Sequence, residues 1–155
     1  MTPEHAILAA GNFWNLQDIF EKQTGILMSQ VGYTGGWTPN PDYIQLAQEN
    51  TGHSEAVEII YNPTLINYSQ ILDVFFNSHN PTEQSETPRF ASTIFFLNHQ
   101  QKQIAIEKLN EHQKRFSSPI LTQIRPASIF YPAEPHHQHY LIKAGQTSCC
   151  LTTEC

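Results

Sequence analysis

The first 148 residues contain no cysteine: the three thiols, Cys149, Cys150 and Cys155, all stand in the last seven of 155 positions. That distribution excludes a disulfide framework spread through a small secreted fold, and a chain of this length buries a core without such staples. The thiols read instead as free, reactive or metal-binding, in a reducing, cytoplasmic setting. Positive charge is scarce as well, with 8 Lys+Arg against 14 Asp+Glu, a net charge of −6, and no Lys or Arg before Lys22. A surface that tracks phosphates needs the opposite balance, so nucleic acid is not an expected partner. The basic start of a secretory signal is missing, and no export is expected. No apolar run approaches the roughly 20 residues of a membrane helix, so no membrane partner is expected either. With no internal repeat and no long low-complexity linker, residues 1–155 read as one domain, with 142–155 a flexible cysteine-bearing tail.

Hydrophobic spacing orders the elements. His5–Ala10 is a short apolar run before Gly11, which suits a buried strand entering a turn. Phe13, Trp14, Leu16, Ile19 and Phe20 repeat at helical spacing up to Lys22. A second strand is expected over Ile26–Tyr33, then a loop broken by Gly35, Gly36, Pro39 and Pro41, a short helix over Tyr43–Gln48 and a third strand over Ser54–Tyr61. Tyr68–Asn77 reads as a helix capped by Asn67, and Asn80–Arg89 as a loop. Beyond it come a strand at Thr93–Leu97, a helix over Gln100–Phe116 with Ile104, Ile106, Leu109 and Phe116 inward, and a strand at Ile120–Ile124. From Ala127 onward the chain is expected to be irregular. Interleaved strands and helices imply an α/β (α+β) two-layer sandwich, a mixed sheet with helices on one face and an irregular C-terminal tail.

Three segments have compositions that folding alone explains poorly: Gly11-Asn12-Phe13-Trp14, Gly32–Tyr43 (GYTGGWTPNPDY) and Thr51–Val57 (TGHSEAV). The first places a side chain at a helix N-terminus, where oriented N–H groups face outward. The third sets a carboxylate, Glu55, at the start of an apolar strand. Together with His137–Tyr140 (HQHY), their order resembles peptide methionine sulfoxide reductase A from about Ala9 to Cys149.

The resemblance implies a ferredoxin-like two-layer fold and reduction of the S-epimer of methionine sulfoxide, free or in proteins. It implies an aromatic wall from Phe13 and Trp14, a hydrogen-bond donor to the sulfoxide oxygen at Tyr43, and a protonated acid at Glu55 that donates to the same oxygen. Burial disfavours the charged form of such an acid. The family's nucleophile is the cysteine after the glycine of its GCFW turn, and here that position is Asn12, which cannot form a thiolate. Phe90, in Pro88–Ser92 (PRFAS), stands where the family has a second tyrosine. The preceding loop, Pro81–Ser92, is shorter, and Glu86 is the nearest acid to the family's missing aspartate. Cys149 falls eight residues after Leu141, the spacing of the family's first recycling cysteine, with Cys150 and Cys155 beyond it.

Three readings follow. The first is a pseudoenzyme that binds methionine sulfoxide or a methionine-containing peptide without reducing it. The second is a reductase in which Cys149 or Cys150 acts as a relocated nucleophile, with thioredoxin or another dithiol as reductant. The third is a metal or redox sensor on the same scaffold. The missing thiol, the missing tyrosine hydroxyl and the short loop rank the first ahead. His136, His139, Cys149 and Cys150 are donors that suit zinc or copper, but no recognised ligand spacing joins them, and neither a metal nor a cofactor is expected. A monomer is expected.

Overall fold

The computed structural model describes residues 2–48 and 50–145, so Cys149, Cys150 and Cys155, and every expectation placed on them, lie outside the described residues. Six strands, β1 (Glu4–Ala9), β2 (Ile26–Thr34), β3 (Ser54–Tyr61), β4 (Thr93–Phe96), β5 (Gln123–Pro126) and β6 (Tyr131–Pro132), form one sheet in the order β5-β4-β1-β3-β2-β6. Its centre, β4-β1-β3-β2, is antiparallel throughout, and β5 adds in parallel to β4. The sheet is therefore mixed, and its four central strands have the ferredoxin-like order.

Helices α1 (Phe13–Glu21), α2 (Tyr43–Ala47), α3 (Tyr68–Asn77), α4 (His99–Gln113) and α5 (Tyr140–Lys143) complete the chain. Alternation along β1 sends Ala6 and Leu8 into the main core with Phe13, Leu16, Phe20, Ile71, Leu72, Phe75 and Phe76 from α1 and α3. Ile7 and Ala9 face the other way, with Ala56 and Phe95, under Ala127 and Phe130. The helices cover one face of the sheet and a loop covers the other.

Side-chain caps set the helix starts. Asn12 caps α1, and Asp42 with Gln45 and Asn67 with Gln70 form reciprocal capping boxes at α2 and α3. After α1 the chain turns at Gly25, whose φ of 99° disfavours any residue with a Cβ.

Three expectations need correction. Ile106 is 39% exposed, because the inward stripe of α4 runs through Gln101, Ala105, Lys108 and His112. The polar members of that stripe have partners: Lys108 Nζ and His112 Nε2 both meet Asp73 at 2.7 Å, and Gln101 donates to the His5 carbonyl at 2.8 Å, while His112 Nδ1 is buried without a partner among the described residues. The strand expected at Ile120–Ile124 lies instead at Gln123–Pro126, since Ile120 and Leu121 give their N–H groups to Gln113 and to the Pro81 carbonyl. The stretch after Ala127 is not wholly irregular, for it holds β6 and α5, and residue 142 falls within α5.

Candidate functional site

The site forms where β1 ends and β3 begins. Gly11, at φ 59°, turns the chain off β1, and Asn12 follows as the N-cap of α1 in extended conformation. The Asn12 Oδ1 accepts from the Trp14 N–H at 2.7 Å. Its amide thus satisfies one of the orphan donors of the helix start, a task at which asparagine excels.

Register puts Glu55 opposite Tyr33, one strand position beyond Ala56 and Gly32. Its side chain is 1% exposed, and both oxygens are occupied: Oε1 accepts from the Phe13 N–H at 3.2 Å and Oε2 from Arg89 Nε–H at 2.6 Å. Burial pushes the Glu55 carboxyl above its ordinary range, and the guanidinium and the Phe13 N–H oppose that push. Arg89 sits on a short 3₁₀ turn, Pro88–Phe90, that is clamped from two sides. Gly11 N–H donates to the Phe90 carbonyl at 3.1 Å, and Ser54 Oγ–H donates to the Pro88 carbonyl at 2.6 Å. The guanidinium lies over the rings of Tyr43 and Phe90, 5.0 and 4.6 Å from their centroids.

An aromatic layer closes the other side. Phe13 is fully buried, with its ring 5.8 Å from Tyr33 and 6.4 Å from Tyr43. Trp14 stacks on Tyr140 at 4.0 Å and on Tyr43 at 6.1 Å, and its indole N–H donates to His137 Nδ1 at 3.2 Å. That bond needs a neutral acceptor nitrogen; burial and the adjacent His136 lower the basicity of His137 accordingly. Glu134 ties the layer together by accepting from the Tyr33 hydroxyl at 2.8 Å and from the Tyr43 N–H at 3.2 Å. Burial alone would raise its carboxyl, but these hydrogen bonds and its surroundings hold it below the usual range.

The loop leading to Tyr43 is fixed by the TGH segment. Gly36 packs so close to the Thr51–His53 backbone that a Cβ would collide with it. The His53 Nδ1 accepts from Gly36 N–H at 3.0 Å, which leaves Nε2–H to donate to the Thr38 carbonyl at 2.8 Å. His53 thus serves as a neutral brace.

Asn12, Phe13, Trp14, Tyr43 and Glu55 therefore meet in one place. Phe90 reaches the same place but is 37% exposed. Glu86 is exposed and lines a groove with Ser54, Thr93 and Arg125. Arg89, Glu134, His137 and Tyr140 were not singled out for the site by sequence; a lone arginine in a polar, proline-containing loop beside Phe90 was the signal available for the first. Among the described residues no group of three His, Cys, Asp or Glu side chains is arranged to hold a metal ion. No helix among them is long and apolar enough to cross a membrane.

Comparison with known proteins decides the family. A family model described as peptide methionine sulfoxide reductase matches residues 4–155. The chain belongs to the peptide methionine sulfoxide reductase family. Its relatives include the peptide methionine sulfoxide reductase MsrA of Pasteurella multocida, 40% identical over 95% of this chain and 87% of the relative. The MsrA of Methanosarcina acetivorans is 39% identical over 92% and 79%. Among solved structures, reduced Mxr1 of Saccharomyces cerevisiae superposes with a TM-score of 0.89 at 27% identity, covering 96% of this chain and 89% of that one. Mxr1 in complex with Trx2 aligns with a TM-score of 0.64 at 26% identity, covering 89% and 84%. The activity of the peptide methionine sulfoxide reductase family is that of an oxidoreductase, and this member carries the family's fold with an asparagine at the helix-capping position of the site.

Proposed function

We propose that this family member binds the S-epimer of methionine sulfoxide, free or in proteins, and does not reduce it by the family's usual route. The observation that carries the reading is the state of residue 12. A sulfoxide sulfur is reduced by a thiolate that attacks it and is left as a sulfenic acid. Asn12 offers no such electron pair, and its Oδ1 is committed to the Trp14 N–H. The ring layer of Phe13, Trp14 and Tyr43 supports retention of a site for a methylthio group. A cytoplasmic, monomeric protein without a bound cofactor belongs to the same proposal.

The test is incubation of the pure protein with a racemic methionine sulfoxide peptide and dithiothreitol, alongside a binding titration. Saturable binding without turnover is the expected result. Turnover of the S-epimer that disappears when Cys149 and Cys150 are both changed to Ser would replace this reading with the relocated-thiol reductase, and would bring in a dithiol reductant such as thioredoxin.

A further inference from the structure

We infer that Arg89, rather than the Glu55 carboxyl, donates the hydrogen bonds that hold the oxygen of a bound sulfoxide, so that recognition by this site does not depend on a protonated acid. The inference rests on the methionine sulfoxide reading above and identifies the group that confers its specificity. Glu55 has no donor to offer in the arrangement observed. A carboxylate only accepts, and each of its oxygens already accepts one N–H, from Phe13 and from Arg89. The guanidinium, by contrast, commits Nε to Glu55 and keeps two terminal amino groups in the same plane.

Its placement is built in. The carbonyls on either side of Arg89 are held by Gly11 N–H, one residue before Asn12, and by the Ser54 hydroxyl, one residue before Glu55. The planar cation is then sandwiched by contacts to Tyr43 and Phe90 with its side chain only 14% exposed. Phe90 lacks the hydroxyl that a tyrosine would present there, and a polarised sulfoxide oxygen meets a permanent cation beside it.

The pH behaviour follows. A donor supplied by a protonated carboxyl vanishes as pH rises, whereas a guanidinium keeps its protons. The other titratable groups facing this place are Tyr33 on β2, Tyr43 on α2, and Glu134 and His137 on the segment before α5. Between pH 7.0 and 8.5 Glu134 is ionised and His137 is neutral, and neither changes state.

The experiment is calorimetric titration of the full chain with the amide of N-acetyl-methionine S-sulfoxide and with the matching thioether, at pH 7.0 and 8.5. The wild-type protein is expected to prefer the sulfoxide about tenfold, equally at both pH values. Arg89→Gln should lose that preference at pH 8.5 and recover part of it at lower pH, when Glu55 is free to protonate and donate. Arg89→Lys, which keeps the charge but not the fork, should retain an intermediate preference. A second measurement needs no variant: the side-chain nitrogen resonances of Arg89, told apart from those of Arg115 and Arg125, should move with sulfoxide and not with thioether. If Arg89→Gln discriminates as the wild type does, or if the Arg89 resonances stay still at saturation with sulfoxide, the assignment to Arg89 falls while the binding reading survives. If the wild-type protein binds sulfoxide no better than thioether, both fall.

Discussion

The two ends of the sheet differ in how their polar groups are settled. At the end where β1 stops and β3 starts, charged and aromatic groups pair with one another, Glu55 with Phe13 and Arg89, Tyr33 and Tyr43 with Glu134, His53 with Gly36 and Thr38, and the Thr38 hydroxyl is buried without a partner among the described residues. At the opposite end lies a larger cavity, about 600 Å³, lined by residues that include Glu4, Tyr61, Asn67, Tyr68, Asn98 and Gln101. There the Tyr68 hydroxyl is buried without a hydrogen-bond partner among the described residues. Cavity size alone points to the other end of the sheet from the candidate site. What marks the site is a set of groups that satisfy one another at fixed distances, because an unsatisfied group in low dielectric is costly and a satisfied network is rigid.

The comparison is broken most severely at Arg89. Arg89→Ala leaves the Glu55 carboxylate, 1% exposed, without its counter-charge, and breaking a buried pair in this way costs on the order of 3–5 kcal/mol. Glu4→Ala at the other end removes an exposed carboxylate that accepts from the Tyr61 hydroxyl, and should cost no more than about 1 kcal/mol. Urea unfolding of the two variants measures the asymmetry. The loss at Arg89 also has a sign in pH. With the opposing guanidinium gone, burial raises the Glu55 carboxyl further, so between its ordinary and shifted values the native state holds a proton that the unfolded chain has released. The variant's stability therefore falls as pH rises through that window and is best preserved in acid. A deficit that grew toward acid would mean that Glu55 is not the group left behind.

A smaller effect comes from the two tyrosines. Tyr33→Phe removes a hydroxyl that donates to Glu134, and should destabilise by about 1 kcal/mol. Tyr68→Phe removes a buried hydroxyl with no partner among the described residues, and should be neutral or stabilising by up to about 1 kcal/mol. Thermal unfolding of both decides whether the two ends differ as the hydrogen bonds indicate. Equal losses would mean that Tyr68 is satisfied by water in solution.

The same contrast explains what the sequence made legible. Asn12, Phe13, Trp14, Tyr43 and Glu55 stand in local strings whose roles depend on neighbours one to three residues away, as caps and turns do. Arg89 meets Glu55 across 34 positions, and that meeting depends on Phe90 docking its carbonyl on Gly11, which no local pattern announces. Glu134 reaches Tyr33 across 101 positions for a similar reason. On α4 the apolar residues suggested an inward Ile106, but Asp73 on α3 draws Lys108 and His112 inward instead. At β5 the strand moved because Gln113, in the preceding helix, holds the Ile120 N–H. Long-range polar pairing decided the places where hydrophobic periodicity failed.

The smallest expected effect separates the two tasks of residue 12. Asn12 and Asn67 are both N-caps, of α1 at the site and of α3 at the cavity end, and each accepts a backbone N–H, at 2.7 and 2.8 Å. Changing either to Ala removes the side-chain acceptor and should cost about 1 kcal/mol, while the residue 67 backbone N–H keeps its bond to Gln70 Oε1. On stability alone the two variants should be alike. On sulfoxide affinity they should differ, since Asn67 lies at the far end of the sheet while Asn12 sits beside Phe13, Glu55 and Arg89. A change in affinity confined to Asn12→Ala would show that residue 12 belongs to the ligand site as well as to the helix. No change in either variant would reduce Asn12 to a helix cap, and would leave recognition to Arg89 and the aromatic layer.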